Sequence, residues 1–242
     1  EILSGLVGSE MCIRDRYYST PSELHLPWQN VLIGSPAGPC PAWLFPGESS
    51  TWVVQVHGRG VTRAECLRAV PVLHAAGFPN LVVSYRNDGE APRSRSGSYA
   101  LGAAEWRDVD AAVSYALRHG AERVILMGWS MGGAVALQTA LNSGNRDRIA
   151  GLILESPVID WRSVLRFQAR AAGMRAPLPD LAMSALSVPL TARLSGAENA
   201  ISFDSLDIVA RADELKVPIL ILHSDDDLSL IHISEPTRPE RI

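Results

Sequence analysis

The sequence predicts an α/β fold built on a mostly parallel, doubly wound sheet, and three observations carry that expectation. Short runs of aliphatic and β-branched residues recur at 52–56, 80–85, 123–127, 150–154 and 217–222. Stretches with apolar residues at helical spacing separate them. Polar residues collect just past the carboxyl ends of the runs: His57, Ser130, Ser156 and Asp225 to Asp227 all fall there. That end of an open parallel sheet is where ligands bind.

Taken in order, residues 27–46 are extended and punctuated by proline and glycine, as a strand or hairpin would be. Residues 52–56 form the first buried strand, which stops at His57-Gly58-Arg59-Gly60. A helix is predicted over 62–76, with Thr62 as N-cap and Glu65 three residues on completing a capping box. Pro71 inside it predicts a kink or a late start, and Gly77 a stop. After the strand at 80–85 and a polar loop over 86–97 comes an amphipathic helix, 105–119. Trp106, Val109, Val113 and Leu117 share one of its faces. The strand at 123–127 leads into an Ala-rich helix over 134–141, followed by strands at 150–154 and 217–222. Five buried strands separated by helices require a sheet covered on both sides.

Between Ser156 and Leu206 the alternation breaks. Trp161, Phe167, Met174, the segment Pro177-Leu178-Pro179 and Met183 follow one another with weak helical spacing. The expected feature is a cap-like insertion at about 157–205, lying over the polar end of the sheet and shaping an apolar pocket. An ordinary crossover whose aromatics pack into the core is the alternative.

Composition excludes several classes of function. The chain has 242 residues, 47% hydrophobic and 20% charged, with a net charge of −4. That suits one domain with a substantial core. There is no basic stripe and no aromatic-rich basic segment, so nucleic acid is not an expected partner. No run reaches the ~18 apolar residues of a membrane-spanning helix. No secretory signal is visible, and the cytoplasm is the favoured location. Cys12, Cys40 and Cys66 show neither C-x-x-C nor ligand-like spacing, so no metal, disulfide framework or cofactor is expected.

The two ends mirror each other as coding DNA. With one choice of codons for Met11-Cys12-Ile13-Arg14-Asp15-Arg16, the complementary strand translates as residues 228–233, Leu-Ser-Leu-Ile-His-Ile. Leu6 to Glu10, treated the same way, give Ser234 to Arg238. A folded domain has no reason to encode its own termini this way, whereas a translated sequencing adapter present at both ends does. Residues 1–16 and 228–242 are therefore expected to be non-native, leaving a domain over 17–227, truncated at its C-terminus.

The chemistry centres on Gly128-Trp129-Ser130-Met131-Gly132, between the apolar run at 123–127 and the Ala-rich helix. A strand that turns this sharply into a helix crowds the positions beside the serine, and glycine tolerates that crowding. The serine Oγ is pushed out above the sheet, and the free N–H groups at the helix start face it. Val56-His57-Gly58-Arg59-Gly60, Tyr85-Arg86-Asn87-Asp88, the Ser130 motif extended by Gly133, and Leu222-His223-Ser224-Asp225-Asp226-Asp227 occur in this order and spacing. Together they resemble the α/β-hydrolase superfamily, and within it the serine esterases and prolyl-oligopeptidase-like (S9-type) hydrolases of bacteria. The resemblance covers residues 31–227.

That resemblance implies a Ser–acid–His triad in this chain order, with Ser130 as nucleophile. The acid belongs after a later strand: Asp227 is the first choice, Asp226 the second, and Asp160 a weaker one. His25, His57, His74, His119 and His223 all precede that acid, and His232 alone follows it, inside the mirrored segment. His57 and His223 fit a role in holding loops. The oxyanion donors are expected to be the backbone N–H groups of Met131 and of Arg59, with Gly58 letting the backbone approach the substrate. The resulting expectation is a serine hydrolase of esters, thioesters or amides that works through an acyl-enzyme. With no general base, this chain should be an inactive fragment. A non-catalytic binding protein on the same fold, or an acyltransferase using the same nucleophile, are the alternatives.

Overall fold

A computed structural model of the chain describes residues 18–194 and 199–223. Asp225, Asp226, Asp227 and His232 lie outside the described residues, as do the mirrored ends at 1–16 and 228–242.

Among the described residues seven strands form one sheet: β1 (Gln29–Ser35), β2 (Gly38–Phe45), β3 (Thr51–Val56), β4 (Asn80–Val83), β5 (Arg123–Trp129), β6 (Ile149–Glu155) and β7 (Ile219–Leu222). Their spatial order is β1-β2-β4-β3-β5-β6-β7. β1 and β2 make an antiparallel hairpin, β2 runs antiparallel to β4, and every remaining pair is parallel. The residues at 27–46 therefore add two strands to the five expected. Pro39 and Pro41 are tolerated in β2 because the ladder to β4 begins only at Ala42, and beyond it only the Pro41 carbonyl is used, by the Ser84 N–H.

Among the described residues six α-helices accompany the sheet: α1 (Val70–Ala75), α2 (Trp106–Arg118), α3 (Met131–Asn142), α4 (Trp161–Ala171), α5 (Leu178–Ser187) and α6 (Pro189–Leu194). The strands send alternate side chains to opposite faces, which gives two cores. Val54, Val56, Leu81, Val83, Leu126, Leu152 and Leu154 pack with Val109 and Val113 of α2 and Val135 and Leu137 of α3. On the other face Val53, Val82 and Met127 pack with Phe45, Leu67 and Val70. Each such side chain, fully removed from water, contributes about 1.5–3 kcal/mol. Cys40 and Cys66 are buried free thiols. Burial pushes the Cys40 thiol up to about 11, despite a hydrogen bond with Ser35.

Two expectations need correction. The helix predicted over 62–76 is a 3₁₀ segment, Arg63–Arg68, followed by α1 with Pro71 in its first turn. Proline is accepted there because the first-turn N–H groups have no partner within the helix. Thr62 makes no capping bond with its side chain. Among the described residues the last strand, read as buried, stands at the edge of the sheet and is exposed, with Ile221 57% and Leu220 54% accessible.

The insertion after β6 folds as α4, α5 and α6. Its root is fastened to the domain: Trp161, Val164, Met183, Ile201, Phe203 and Ile208 join the main core. Ile208 N–H donates to Ile159 O, and the Gln138 side chain donates to Ser205 O. At its root the segment thus packs into the core as an ordinary crossover would, and the stretch from α4 to α6 is called the cap.

Candidate active site

At the top of β5 the chain turns directly into α3, and Ser130 takes φ 49°, ψ −114°. A serine rarely holds such a backbone, and its neighbours enforce it. A Cβ on Gly128 would sit 2.4 Å from Gly132 O, and one on Gly132 would sit 2.2 Å from Val56 O. A Cβ on Gly133 would meet Pro157 at 2.7 Å. The elbow is tied to β6 and the segment after it: Ser130 N–H donates to Glu155 O at 2.9 Å, and Val158 N–H donates to Ser130 O at 3.2 Å.

The loop after β3 lies against this turn. A Cβ on Gly58 would be 3.6 Å from the Cβ of Ser130 and 3.4 Å from Trp129 O, so Gly58 lets the backbone come close to the serine. Gly58 N–H is taken by the Glu65 carboxylate at 2.7 Å. Among the described residues no acceptor takes the N–H of Arg59 or of Met131, and Met131 is the first residue of a twelve-residue helix. Met131 N–H thus follows Ser130 at the positive end of a helix dipole, and Arg59 follows Gly58, whose backbone lies against Ser130.

His57 is fully buried and serves this loop. Its Nε2 lies 3.0 Å from Asp88 Oδ2 and its Nδ1 2.8 Å from Gly58 O. Its ring stacks on Tyr85 at 4.4 Å. The Tyr85 hydroxyl donates to the carbonyls of His57 and Gly58 at 3.0 and 3.2 Å. Burial pushes the Tyr85 phenol well up, which keeps it a donor. Burial also raises the Asp88 carboxyl, but the hydrogen bond and charge of His57, with bonds from Ser84 and Ala91, outweigh it and the net shift is downward. With both ring nitrogens engaged, His57 is not placed to take a proton from Ser130.

The other candidates separate. Asp160 caps α4, accepting the N–H groups of Arg162 and Ser163, and so is structural. His223 Nδ1 lies 3.3 Å from Ser156 Oγ at the exposed end of β7. His119 closes α2, its Nδ1 2.8 Å from Tyr115 O. Among the described residues no side chain bonds the Ser130 hydroxyl, and no group of ligand-type residues could hold a metal.

Glu65, Tyr85, Asp88 and Glu155 are the residues that reading the sequence did not assign to the site. Glu65 carried a local helix-start signal, yet its carboxylate crosses to Gly58. The others act across separations of 26 to 31 residues, which no short motif encodes.

Beside the His57 loop opens a cleft of about 400 Å³ lined by Arg86, Asn87, Tyr99, Arg107 and Ile201 among others. Ser130 is not part of its wall. Tyr99 connects the two, its ring lying 6.0 Å edge-on from that of Tyr85.

A serine held this way at a strand-to-helix turn prompts comparison with known proteins. The alpha/beta hydrolase family matches residues 53–238, well over half of the chain. The protein belongs to the α/β-hydrolase family. No protein of curated function matches it significantly in sequence. Among solved structures it is similar to the Pyrococcus furiosus esterase Pf2001, at 19% identity and TM-score 0.59, over 89% of this chain and 88% of that one. An esterase from Exiguobacterium antarcticum is similar over 82% of each chain, at 19% identity and TM-score 0.53. A thermophilic esterase from Thermogutta terrifontis follows, at 22% identity and TM-score 0.50, over 81% of this chain and 80% of that one. At these identities the structural likeness establishes the fold, and this α/β-hydrolase's chemistry rests on its own residues.

Proposed function

We propose that this α/β-hydrolase hydrolyses a small carboxylic ester with Ser130 as nucleophile. The observation that carries the reading is the backbone of Ser130, held at φ 49° between two glycines and against the Gly58 loop; the N–H groups of Arg59 and Met131 are the oxyanion donors of this reading. In the reaction Oγ attacks the carbonyl carbon, and the displaced electron pair settles on the carbonyl oxygen between those two donors. Collapse expels the alcohol and leaves an acyl-enzyme, which water then opens. The esterases among the structural neighbours favour an ester over the amide of an S9-type peptidase.

The acid of this mechanism is Asp227, five residues after β7 in sequence, and its task is to orient a histidine. No described histidine is in place to serve Ser130, and His232 falls in the mirrored segment. Without a working base, turnover by this chain should fall to the roughly 10³–10⁴-fold acceleration over water that binding and the oxyanion donors sustain alone.

The test is labelling with a fluorophosphonate, read by peptide mass spectrometry, with and without added imidazole as a free base. An adduct on Ser130 that grows with imidazole and vanishes in Ser130→Ala supports the reading. An adduct elsewhere, or none at saturating imidazole, removes Ser130 from the chemistry.

A further inference from the structure

The outer surface of the cap combines two properties found together nowhere else in the described residues. The first is exposed apolar area. Met174, Leu178, Leu181, Val188, Leu190 and Leu194 all stand out of the surface, Leu190 at 70% and Leu194 at 79% exposure. Leu178 and Leu181 are three apart on α5, and Leu190 and Leu194 four apart on α6, so each pair shares one side of its helix. A soluble surface rarely gathers so many large aliphatic side chains without a partner.

The second property is charge. From Trp161 to Leu194 the chain carries Arg162, Arg166, Arg170, Arg175 and Arg193 against the single acid Asp180, a net of +4. The whole chain is −4, so everything outside the cap sums to −8. Arg162 and Arg166 are paired, with Asp204 and Asp180. Arg170, Arg175 and Arg193 are exposed and have no acidic partner among the described residues, and they are interleaved with the exposed aliphatics.

We propose that this face docks onto an anionic lipid surface. Interleaved arginine and aliphatic side chains on short helices suit the boundary between headgroups and acyl chains, where the aliphatics enter by about 5–10 Å and the guanidinium groups meet lipid phosphates. A second copy of the chain fits poorly, because a two-fold contact through this face would bring +4 against +4. The acidic remainder of the molecule is repelled by the same lipid surface, so the two charges together fix one orientation.

That orientation bears on chemistry. The cap leaves the sheet at the end of β6, where Pro157 touches Gly133 and Val158 bonds Ser130, so the cap and the elbow share the same end of the sheet. Docking the cap turns that end toward the lipid. The inference deepens the ester-hydrolase reading by naming the substrate class as apolar esters partitioned into an anionic surface. It rests on that reading for this last step only.

The test is co-sedimentation of the full chain with phosphatidylcholine vesicles and with vesicles holding about 30 mol% phosphatidylglycerol, at low and high salt. The expected result is binding to the anionic vesicles that weakens with salt. It should drop at least tenfold in Arg170→Glu/Arg175→Glu/Arg193→Glu, at about fivefold per charge near such a surface. Leu190→Ser/Leu194→Ser should also weaken it while keeping the salt dependence. Equal binding to neutral vesicles, no binding to either, or a concentration-dependent dimer lost in the leucine variant would each overturn the proposal. None of these readouts needs catalysis, so Ser130→Ala should bind vesicles like the parent, and failure of the serine mechanism is seen separately by labelling.

Discussion

The carboxylate of Glu155 accepts the indole N–H of Trp129 at 2.7 Å. The backbone carbonyl of the same glutamate accepts the N–H of Ser130 at 2.9 Å. One residue at the end of β6 therefore holds both residues at the end of β5, one through its side chain and the next through its main chain. Arg68 completes the arrangement, pairing with Glu155 at 3.0 Å while its guanidinium lies 5.3 Å from the centre of the Trp129 ring.

Removing that carboxylate should be felt at the indole. Glu155→Ala leaves a donor on a side chain that is 2% exposed, and a stability loss of about 1–2 kcal/mol is expected in urea unfolding. Glu155→Gln keeps an acceptor and loses mainly a half-exposed ion pair, so its loss should be smaller. Equal losses in the two variants would show that charge, not the indole bond, carries the effect.

The conformation of Ser130 has a cost that substitution can reveal. Alanine at this position keeps the Cβ crowding of a positive φ, and glycine removes it. Ser130→Gly should therefore be more stable than Ser130→Ala by about 1 kcal/mol, reversing the usual order of the two residues. Urea midpoints of the two variants at equal slope measure this. If alanine is the more stable, the elbow is not strained.

Acid should loosen the His57 loop. Asp88 has its carboxyl lowered from the ordinary 3.8, with the pull of His57 and its other donors overcoming burial. A carboxyl lowered on folding stabilises fully above its unfolded pKa, and that stabilisation is lost as pH falls through the folded value. The contribution should be constant above about pH 5 and decline below about pH 4. Asp88→Asn should cost about 3 kcal/mol at neutral pH, because it keeps an acceptor but takes the counter-charge from a buried histidine, and should flatten the acid part of the curve. An unchanged acid slope in that variant would mean the pair is not ionic.

Much of this architecture was readable from residue order. β3, β4, β5 and β6 are rich in Val, Ile and Leu and bounded by turn residues, because strands covered on both faces bury most of their side chains; the buried polar pair Gln55 and Asn80 bond each other. The elbow was readable for a related reason. Gly128 and Gly132 stand where any Cβ would strike a carbonyl, so the motif records a steric fact. Glu65 shows where such reading stops. Its spacing from Thr62 matches a local helix cap, but the stronger acceptor need was at Gly58, seven residues away and visible only once β3 and the 3₁₀ segment had packed. Asp88 and Glu155 pose the same difficulty at longer range. The exposure of β7 went unread because an apolar run looks the same at a sheet edge as at its centre.

The chain runs outward from β3 to β4 and then returns past β3 to place β5 on its other side. Consequently the Gly58 loop and the Ser130 turn, 72 residues apart in sequence, end up one strand spacing apart, about 4.8 Å. The gap between them is set by backbone ladder geometry, and each bond described for the two turns comes from the sheet, its connecting segments or Glu65. None of the bonds described for the two turns comes from the cap helices. Rebuilding α4 to α6 would therefore leave the dimensions of the gap those of a pair of parallel strands.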